Sequence, residues 1–110
     1  MIRKFKVATT ITTEHEIEID TDKFDGEFMA DYERYIHKVY QHDDDLIKGH
    51  VLNIAEYMAH NPYDSFIEGY GHIRLNGYAN SSVDENEIMI SVRETDVYVD
   101  DQELDEVTAI

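Results

Sequence analysis

Hydrophobic and polar residues alternate at the start of the chain. Between residues 4 and 20 the large apolar side chains occupy odd positions and the charged side chains occupy even ones. This period of two is typical of a β-strand with one face in the core. If the chain turns near Thr12, Phe5 lies opposite Ile19, so residues 2–20 are predicted to form a β-hairpin.

Two segments follow in which apolar residues recur every three or four positions, the pattern of an amphipathic helix. The first helix is predicted from Gly26 to Gln41, with Asp25 as its N-cap. The second is predicted to begin at the three aspartates 43–45 and to end before Pro62. Because only a few residues join the two helices, we expect them to pack as an antiparallel pair.

The second half of the chain returns to the strand pattern. Asn76-Gly77 is the strongest hairpin signal, because both central positions of a type I′ turn need positive φ. Residues 88–92 and 97–99 alternate and are predicted to pair across a loop at residues 93–96. Residues 101–110 are predicted to be a flexible acidic tail with a short helical turn.

Together these elements predict a single α+β domain over residues 1–110. An N-terminal β-hairpin and the antiparallel helix pair precede three or four antiparallel strands, packed as one sheet against the helices. Disordered acidic chains are poor in aromatic residues, whereas this chain is 42% hydrophobic with eight Tyr and four Phe. A packed core is therefore expected.

Charge changes this picture of an ordinary small domain. The chain has 25 Asp and Glu against nine Lys and Arg, a net charge of −16. Self-repulsion on this scale destabilises a compact domain, so we expect the charge to serve a function. A globular domain of this size spans roughly 35 Å, and duplex DNA of that length carries about 20 phosphates. The protein thus has nearly the charge of the nucleic acid it would replace.

Three acidic clusters and a group of aromatic residues are the candidate binding residues. Carboxylates two residues apart on a strand lie about 6.6–6.8 Å from each other, close to the phosphate spacing along one nucleic-acid strand. Tyrosine offers an interface large rigid area with a polar tip. Two alternatives stay open: the acids serve solubility alone, and the aromatic residues pack the sheet against the helices. The predicted partner-binding residues are Glu14, Glu16, Glu18, Asp43, Asp44, Asp45, Tyr63, Phe66, Tyr70, Asp96, Asp100, Asp101, Glu103, Asp105 and Glu106.

The sequence contains no motif typical of an enzyme or a cofactor site. It has no cysteine, no P-loop, no GxSxG and no GxGxxG. The six histidines lack metal-site spacing, and the run from Asp20 to Gly26 departs from a calcium loop at its third ligand position. We therefore predict no catalytic residue, no metal ion and no cofactor.

Charge and hydropathy also limit the partners. Direct nucleic-acid binding needs a patch of Lys and Arg, and an anionic membrane surface would repel this chain. No apolar run approaches the ~20 residues of a membrane span, and the N-terminus lacks the apolar core of a signal peptide. We expect a monomer or homodimer in the bacterial cytoplasm that binds a basic, nucleic-acid-binding protein.

In size, acidity, tyrosine content and lack of cysteine or catalytic motifs, the chain resembles small inhibitors encoded by phages and mobile elements, such as anti-CRISPR proteins and other DNA mimics. The resemblance implies an inhibitor that occupies the nucleic-acid groove of a CRISPR effector or another defence nuclease. Two alternatives stay open. One is an immunity protein against a nuclease toxin, and the other is a structural or assembly module of a phage with a solubilising acidic surface.

Overall fold

A computed structural model of the protein describes residues 1–36 and 45–107. Within them the fold is α+β, as predicted, and two long strands dominate it. In chain order the elements are β1 (Lys4–Ile19), α1 (Gly26–Tyr35), α2 (Leu46–His60), β2 (Phe66–Ile67), β3 (Gly71–His72), β4 (Arg74–Leu75), a 3₁₀ turn (Glu85–Glu87) and β5 (Ile90–Val107).

The described strands form two sheets. In the larger one the order is β1-β5-β4, with β5 antiparallel to β1 and parallel to β4, while β2 and β3 pair antiparallel in the smaller one. The prediction of a single antiparallel sheet is therefore wrong in its arrangement. Gly69 and Gly71 have positive φ, so the chain turns sharply in this region and leaves only two-residue strands.

The predicted N-terminal hairpin does not form. β1 continues through Thr12 as one strand of 16 residues, and its partner is β5, with Lys4 opposite Val107 and Ile19 opposite Ile90. The segment around Thr12 has no Gly, Pro or Asn to favour a turn, and its β-branched residues favour a continued strand. The alternation identified a strand, but the partner was predicted wrongly.

The loop predicted at residues 93–96 is also absent, because β5 runs through it to Val107. The helical turn expected around Leu104 is wrong for the same reason, since Leu104 lies opposite Val7 in the strand pair. Pairing with β1 gives the backbone of this segment hydrogen-bond partners along its length. The flexibility of residues 101–110 stays a prediction.

Two β-bulges interrupt the pairing of β1 with β5. Thr95 and Asp100 are extra residues of β5, each without an opposite residue in β1. A bulge shifts the alternation of its strand by one residue and increases the local right-handed twist. The bulges therefore decide which face of the strand pair each later residue of β5 occupies.

Both helices begin at an aspartate N-cap. The Asp25 carboxylate accepts a hydrogen bond from the Phe28 N–H at 2.9 Å, and the Asp45 carboxylate accepts one from the Ile47 N–H at 3.0 Å. α2 ends at His60, as predicted. The predicted end of the first helix lies in residues 37–44, outside the described residues, and the antiparallel packing of the pair stays a prediction.

The turn at Asn76-Gly77 is confirmed. The φ angles are 50° and 86°, and the flanking Leu75 and Tyr78 exchange backbone hydrogen bonds of 2.8 and 2.9 Å. This is the geometry expected of a two-residue hairpin turn.

The hydrophobic core occupies the end of the molecule where α2 contacts β1. The half-buried Ile17 and Ile19 of β1 pack against it. The centroids of the Phe24 and Phe28 rings lie 4.7 Å apart. Its buried hydrophobic residues are Phe24, Tyr32, Ile54, Met58, Ile67, Tyr70, Ile73, Ile90 and Val92.

The other end of the strand pair extends away from this core. We call residues 4–13 of β1 and 97–107 of β5 the ribbon. Residues 4–11 and 97–107 are all exposed. The molecule measures 61 × 34 × 24 Å, and its Cα radius of gyration is 18.6 Å, against roughly 13 Å for a compact domain of about 100 residues. The ribbon makes the protein elongated.

Candidate protein-binding surfaces on the long strand pair

The register of β1 with β5 sorts their side chains onto two faces. Residues opposite each other in an antiparallel pair point to the same face, and neighbours along a strand point to opposite faces. Ile17 and Ile19 pack on the core, so we call their side the apolar face. Glu14, Glu16 and Glu18 lie on the other side, which we call the acidic face.

β5 adds its own carboxylates to the acidic face. Asp96 lies opposite Glu14, and three acids beyond the second bulge lie opposite even-numbered residues of β1. The bulged Asp100 shares this face, because its carboxylate accepts a hydrogen bond from the Thr12 hydroxyl. All eight carboxylates are exposed. They are Glu14, Glu16, Glu18, Asp96, Asp100, Asp101, Glu103 and Asp105.

Basic side chains lie only towards the two ends of the acidic face. Lys6 lies opposite Asp105 and Arg93 opposite Glu16, so each has an acidic cross-strand neighbour. Lys4 follows at the far end. The middle of the face, residues 8–14 with 96–103, carries carboxylates and no Lys or Arg. Negative charge is therefore concentrated there.

The acidic face is long and continuous. From Lys6 to Glu18 it spans twelve residue steps, roughly 40 Å at about 3.3 Å per residue. A single strand of duplex DNA places about 12 phosphates over that length, at one per ~3.4 Å of helix axis. The eight carboxylates thus form a row of similar length to this row of phosphates, and their total negative charge is of the same order of magnitude.

Other predicted acids lie elsewhere. Glu106 is on the apolar face opposite Phe5, and the Arg3 guanidinium donates two hydrogen bonds to it at 2.9 and 3.0 Å. This pairing holds the pKa of the Glu106 carboxyl below its usual value. Asp45 caps α2, as described above. Asp43 and Asp44 lie outside the described residues.

The three predicted aromatic anchors differ in exposure. Tyr63 is 93% exposed and Phe66 is 51% exposed, with its ring centroid 5.0 Å from that of His72. Tyr70 is only 4% exposed and packs in the core, with its ring stacked on the Tyr32 ring at 4.7 Å. Tyr70 is therefore not accessible to a partner in this structure.

A buried polar cluster around Tyr70 escaped the sequence analysis. The Asn53 amide donates hydrogen bonds of 3.0 Å to the hydroxyls of Tyr32 and Tyr70, and His50 Nδ1 lies 2.6 Å from the Tyr70 hydroxyl. Burial raises the pKa of the Tyr70 phenol. The available signal was the position of His50 and Asn53, three residues apart and beside the apolar stripe of the second helix.

The exposure of the apolar face along the ribbon differs from the prediction made from the sequence. The sequence pattern predicts Phe5, Val7 and Ile11 on the inner face of a hairpin, with Phe5 opposite Ile19. It predicts Val97 and Val99 in a second strand pair and Leu104 in a helical turn. Instead, six large side chains of this face are between 47% and 66% exposed. They are Phe5, Val7, Ile11, Val97, Val99 and Leu104.

Residues 1–36 and 45–107 contain no group of three or more His, Cys, Asp or Glu side chains that could hold a metal ion. The carboxylates of the acidic face are thus spread along a row and do not converge. In the same residues no helix has the length and apolar character needed to cross a membrane. Comparison with known proteins found no matching family model, curated protein or solved structure.

Proposed function

We propose that the protein is an acidic inhibitor whose acidic face occupies the nucleic-acid-binding groove of a basic target, such as a CRISPR effector or another defence nuclease. The observation that carries this proposal is the row of eight exposed carboxylates along one face of a single strand pair. A basic groove that accepts a row of phosphates presents the complementary charge.

The regular pairing of the two strands supports this function. Cross-strand hydrogen bonds fix the spacing of the carboxylates, so less conformational freedom is lost on binding than with a disordered acidic tail. Bulges such as those at Thr95 and Asp100 increase the right-handed twist of a strand pair, so we expect the carboxylates to follow a twisted path, as phosphates do.

Complementary charge would act mainly through the rate of association and through competition. Steering by opposite charge raises the association rate and lets the protein compete with a polyanion. Each exposed ion pair contributes only about 0–1 kcal/mol, so affinity would need several of them together. Binding is therefore expected to weaken as salt screens the charges.

The test compares two variants that lose the same number of charges. The acidic-face variant carries Glu14→Gln, Glu16→Gln, Asp101→Asn and Glu103→Gln. The control variant removes four exposed acids of the helices and the loop after them, through Asp31→Asn, Glu33→Gln, Glu56→Gln and Glu68→Gln. Both have the same net charge, so a difference between them reports the arrangement of the carboxylates.

Each protein, tagged, is used to capture partners from bacterial lysate at about 0.1 M and about 0.5 M salt, with and without added DNA. We expect the original protein and the control variant to retain a nucleic-acid-binding protein at low salt only, and added DNA to displace it. The acidic-face variant should lose it. Equal retention by both variants, or indifference to salt and DNA, would overturn the proposal.

The same capture distinguishes the immunity-protein alternative, because the retained protein would then be a nuclease toxin. The structural or assembly alternative has one observation in its favour, the exposed apolar side chains of the ribbon. It predicts a partner that tolerates high salt and is retained by the acidic-face variant.

A further inference from the structure

The ribbon presents an apolar face that no described residue covers. Its six large side chains are each about half exposed or more. A two-stranded sheet alone is marginally stable in water and normally needs a further layer on its apolar side. The ribbon therefore has one apolar and one polar face, like one of the two sheets of a β-sandwich.

This face carries few charged side chains, and they lie at its two ends. Glu106 is paired with Arg3, and Glu94 lies at the core end opposite His15. Between them the apolar face carries only uncharged side chains, with Thr9 opposite Gln102 at its middle. The eight carboxylates described above all point to the other side. Two copies of this strongly acidic chain can thus meet here with their carboxylate rows on the outside.

We propose that a second copy of this chain covers the apolar face, so that the two ribbons form a two-layer, four-stranded sandwich. A twofold axis near Thr9 and Gln102 makes the interface self-complementary. It places Val7 and Leu104 of one copy against Ile11 and Val99 of the other. A basic partner, in contrast, would be attracted to the acidic face.

The apolar area is sufficient for such a dimer. Six half-exposed apolar side chains amount to a patch on the order of 500 Å², near the upper end for a typical monomer. Two copies would bury about 1,000 Å² from these side chains alone, and specific interfaces begin near that size.

The proposed dimer goes beyond the proposed function, and salt should affect its stability in the opposite direction from partner binding. Repulsion between two copies of charge −16 opposes dimerisation, so screening by salt should strengthen the dimer. The same screening should weaken binding of the acidic face to a basic target. Failure of one proposal is therefore distinguishable from failure of the other.

Sedimentation velocity over a range of protein and salt concentrations is the first test. We compare Ile11→Glu, on the apolar face, with Thr10→Glu, its exposed neighbour on the acidic face. Both add one negative charge to the same strand. Ile11→Glu should raise the dimer dissociation constant at least about tenfold, because the added charge would be buried in the interface. Thr10→Glu should leave it nearly unchanged.

A second variant tests whether a loss of the dimer could instead result from unfolding. Ile11→Thr keeps the β-branched side chain that favours a strand, and it should weaken the dimer less than Ile11→Glu does. Circular dichroism of each variant reports whether the fold is retained. A monomer at every protein and salt concentration, or a dimer that Ile11→Glu leaves intact, would overturn the proposal.

The lack of cysteine allows a direct measurement of which face is buried. Spin labels are attached to Gln102→Cys, at the middle of the apolar face, or to Glu103→Cys, on the acidic face. Facing sheets pack about 10 Å apart, so pulsed electron paramagnetic resonance should give a much shorter distance between copies for Gln102→Cys. A shorter distance for Glu103→Cys would place the interface on the other face and contradict the proposal.

Discussion

At the scale of single residues, the core of this acidic protein contains a buried polar cluster. The Asn53 amide joins the hydroxyls of Tyr32 and Tyr70, and His50 lies fully buried beside them. Burial raises the pKa of the Tyr70 phenol, although its hydrogen bond from Asn53 acts in the opposite direction. The folded protein therefore keeps this phenol protonated where an exposed tyrosine would ionise.

The raised pKa of Tyr70 predicts a loss of stability at high pH. Above about pH 10 the unfolded chain releases the Tyr70 proton while the folded chain holds it, so the free energy of unfolding falls by up to ~1.4 kcal/mol per pH unit. Tyr70→Phe should make this fall less steep. Urea denaturation between about pH 9 and pH 11 measures it. Tyr63→Phe, at an exposed position, serves as the control, and an unchanged slope in Tyr70→Phe would contradict the argument.

At the scale of elements, periodicity identified both helices and parts of both long strands, but it did not identify strand partners or show that each long strand is continuous. The alternation around Phe5 is the same whether Phe5 lies opposite Ile19 or opposite Glu106. Nothing local favours a turn near Thr12, so the pairing depends on contacts between residues 71 to 103 positions apart. The Asn76-Gly77 turn was predictable because its requirement for positive φ is local.

The cap of α2 gives a prediction at this scale. Asp45→Ala should lower the free energy of unfolding by about 1 kcal/mol, because the Ile47 N–H loses its acceptor. Asp45→Asn removes the charge but keeps a capping oxygen, so it should change stability much less. Urea denaturation of both variants measures the two effects. Equal losses would show that the charge of Asp45 matters more than its cap.

This result also bears on the acidic run 43–45. Replacing all three aspartates with lysine would remove a helix cap together with the charge, so a loss of binding would have two explanations. Asp45 is better left unchanged in tests of partner binding.

At the scale of the whole molecule, the protein has a packed end and an exposed end that share the same two strands. The packed end contains Ile17, Ile90 and Val92, whereas residues 4–11 and 97–107 of the ribbon are exposed on both faces. A compact domain of this length is expected to span roughly 35 Å, but the longest dimension is 61 Å. The difference arises because β1 and β5 pair along their whole lengths, beyond the part that the helices cover.

This division predicts a gradient of hydrogen exchange along each strand. In the monomer, amides of residues 5–11 and 97–107 should exchange faster than those of residues 17–19 and 90–92, because the ribbon can open without disturbing the core. Hydrogen exchange at several protein concentrations measures it. If the proposed dimer forms, ribbon protection should rise with concentration while core protection does not. Uniform protection along β1 in the monomer would contradict this prediction.

The sequence by itself determined the α+β class, the two helices, the Asn76-Gly77 turn and the acidic character of the chain, because these depend on local periodicity, local backbone requirements and composition. Only the tertiary structure decided how the carboxylates are grouped. Asp101 and Glu103 lie on the same face as Asp96 because the bulge at Asp100 shifts the alternation by one residue. Without that shift they would have joined the apolar face. A bulge forms where two distant strands must match their registers, and that match is a property of the folded pair.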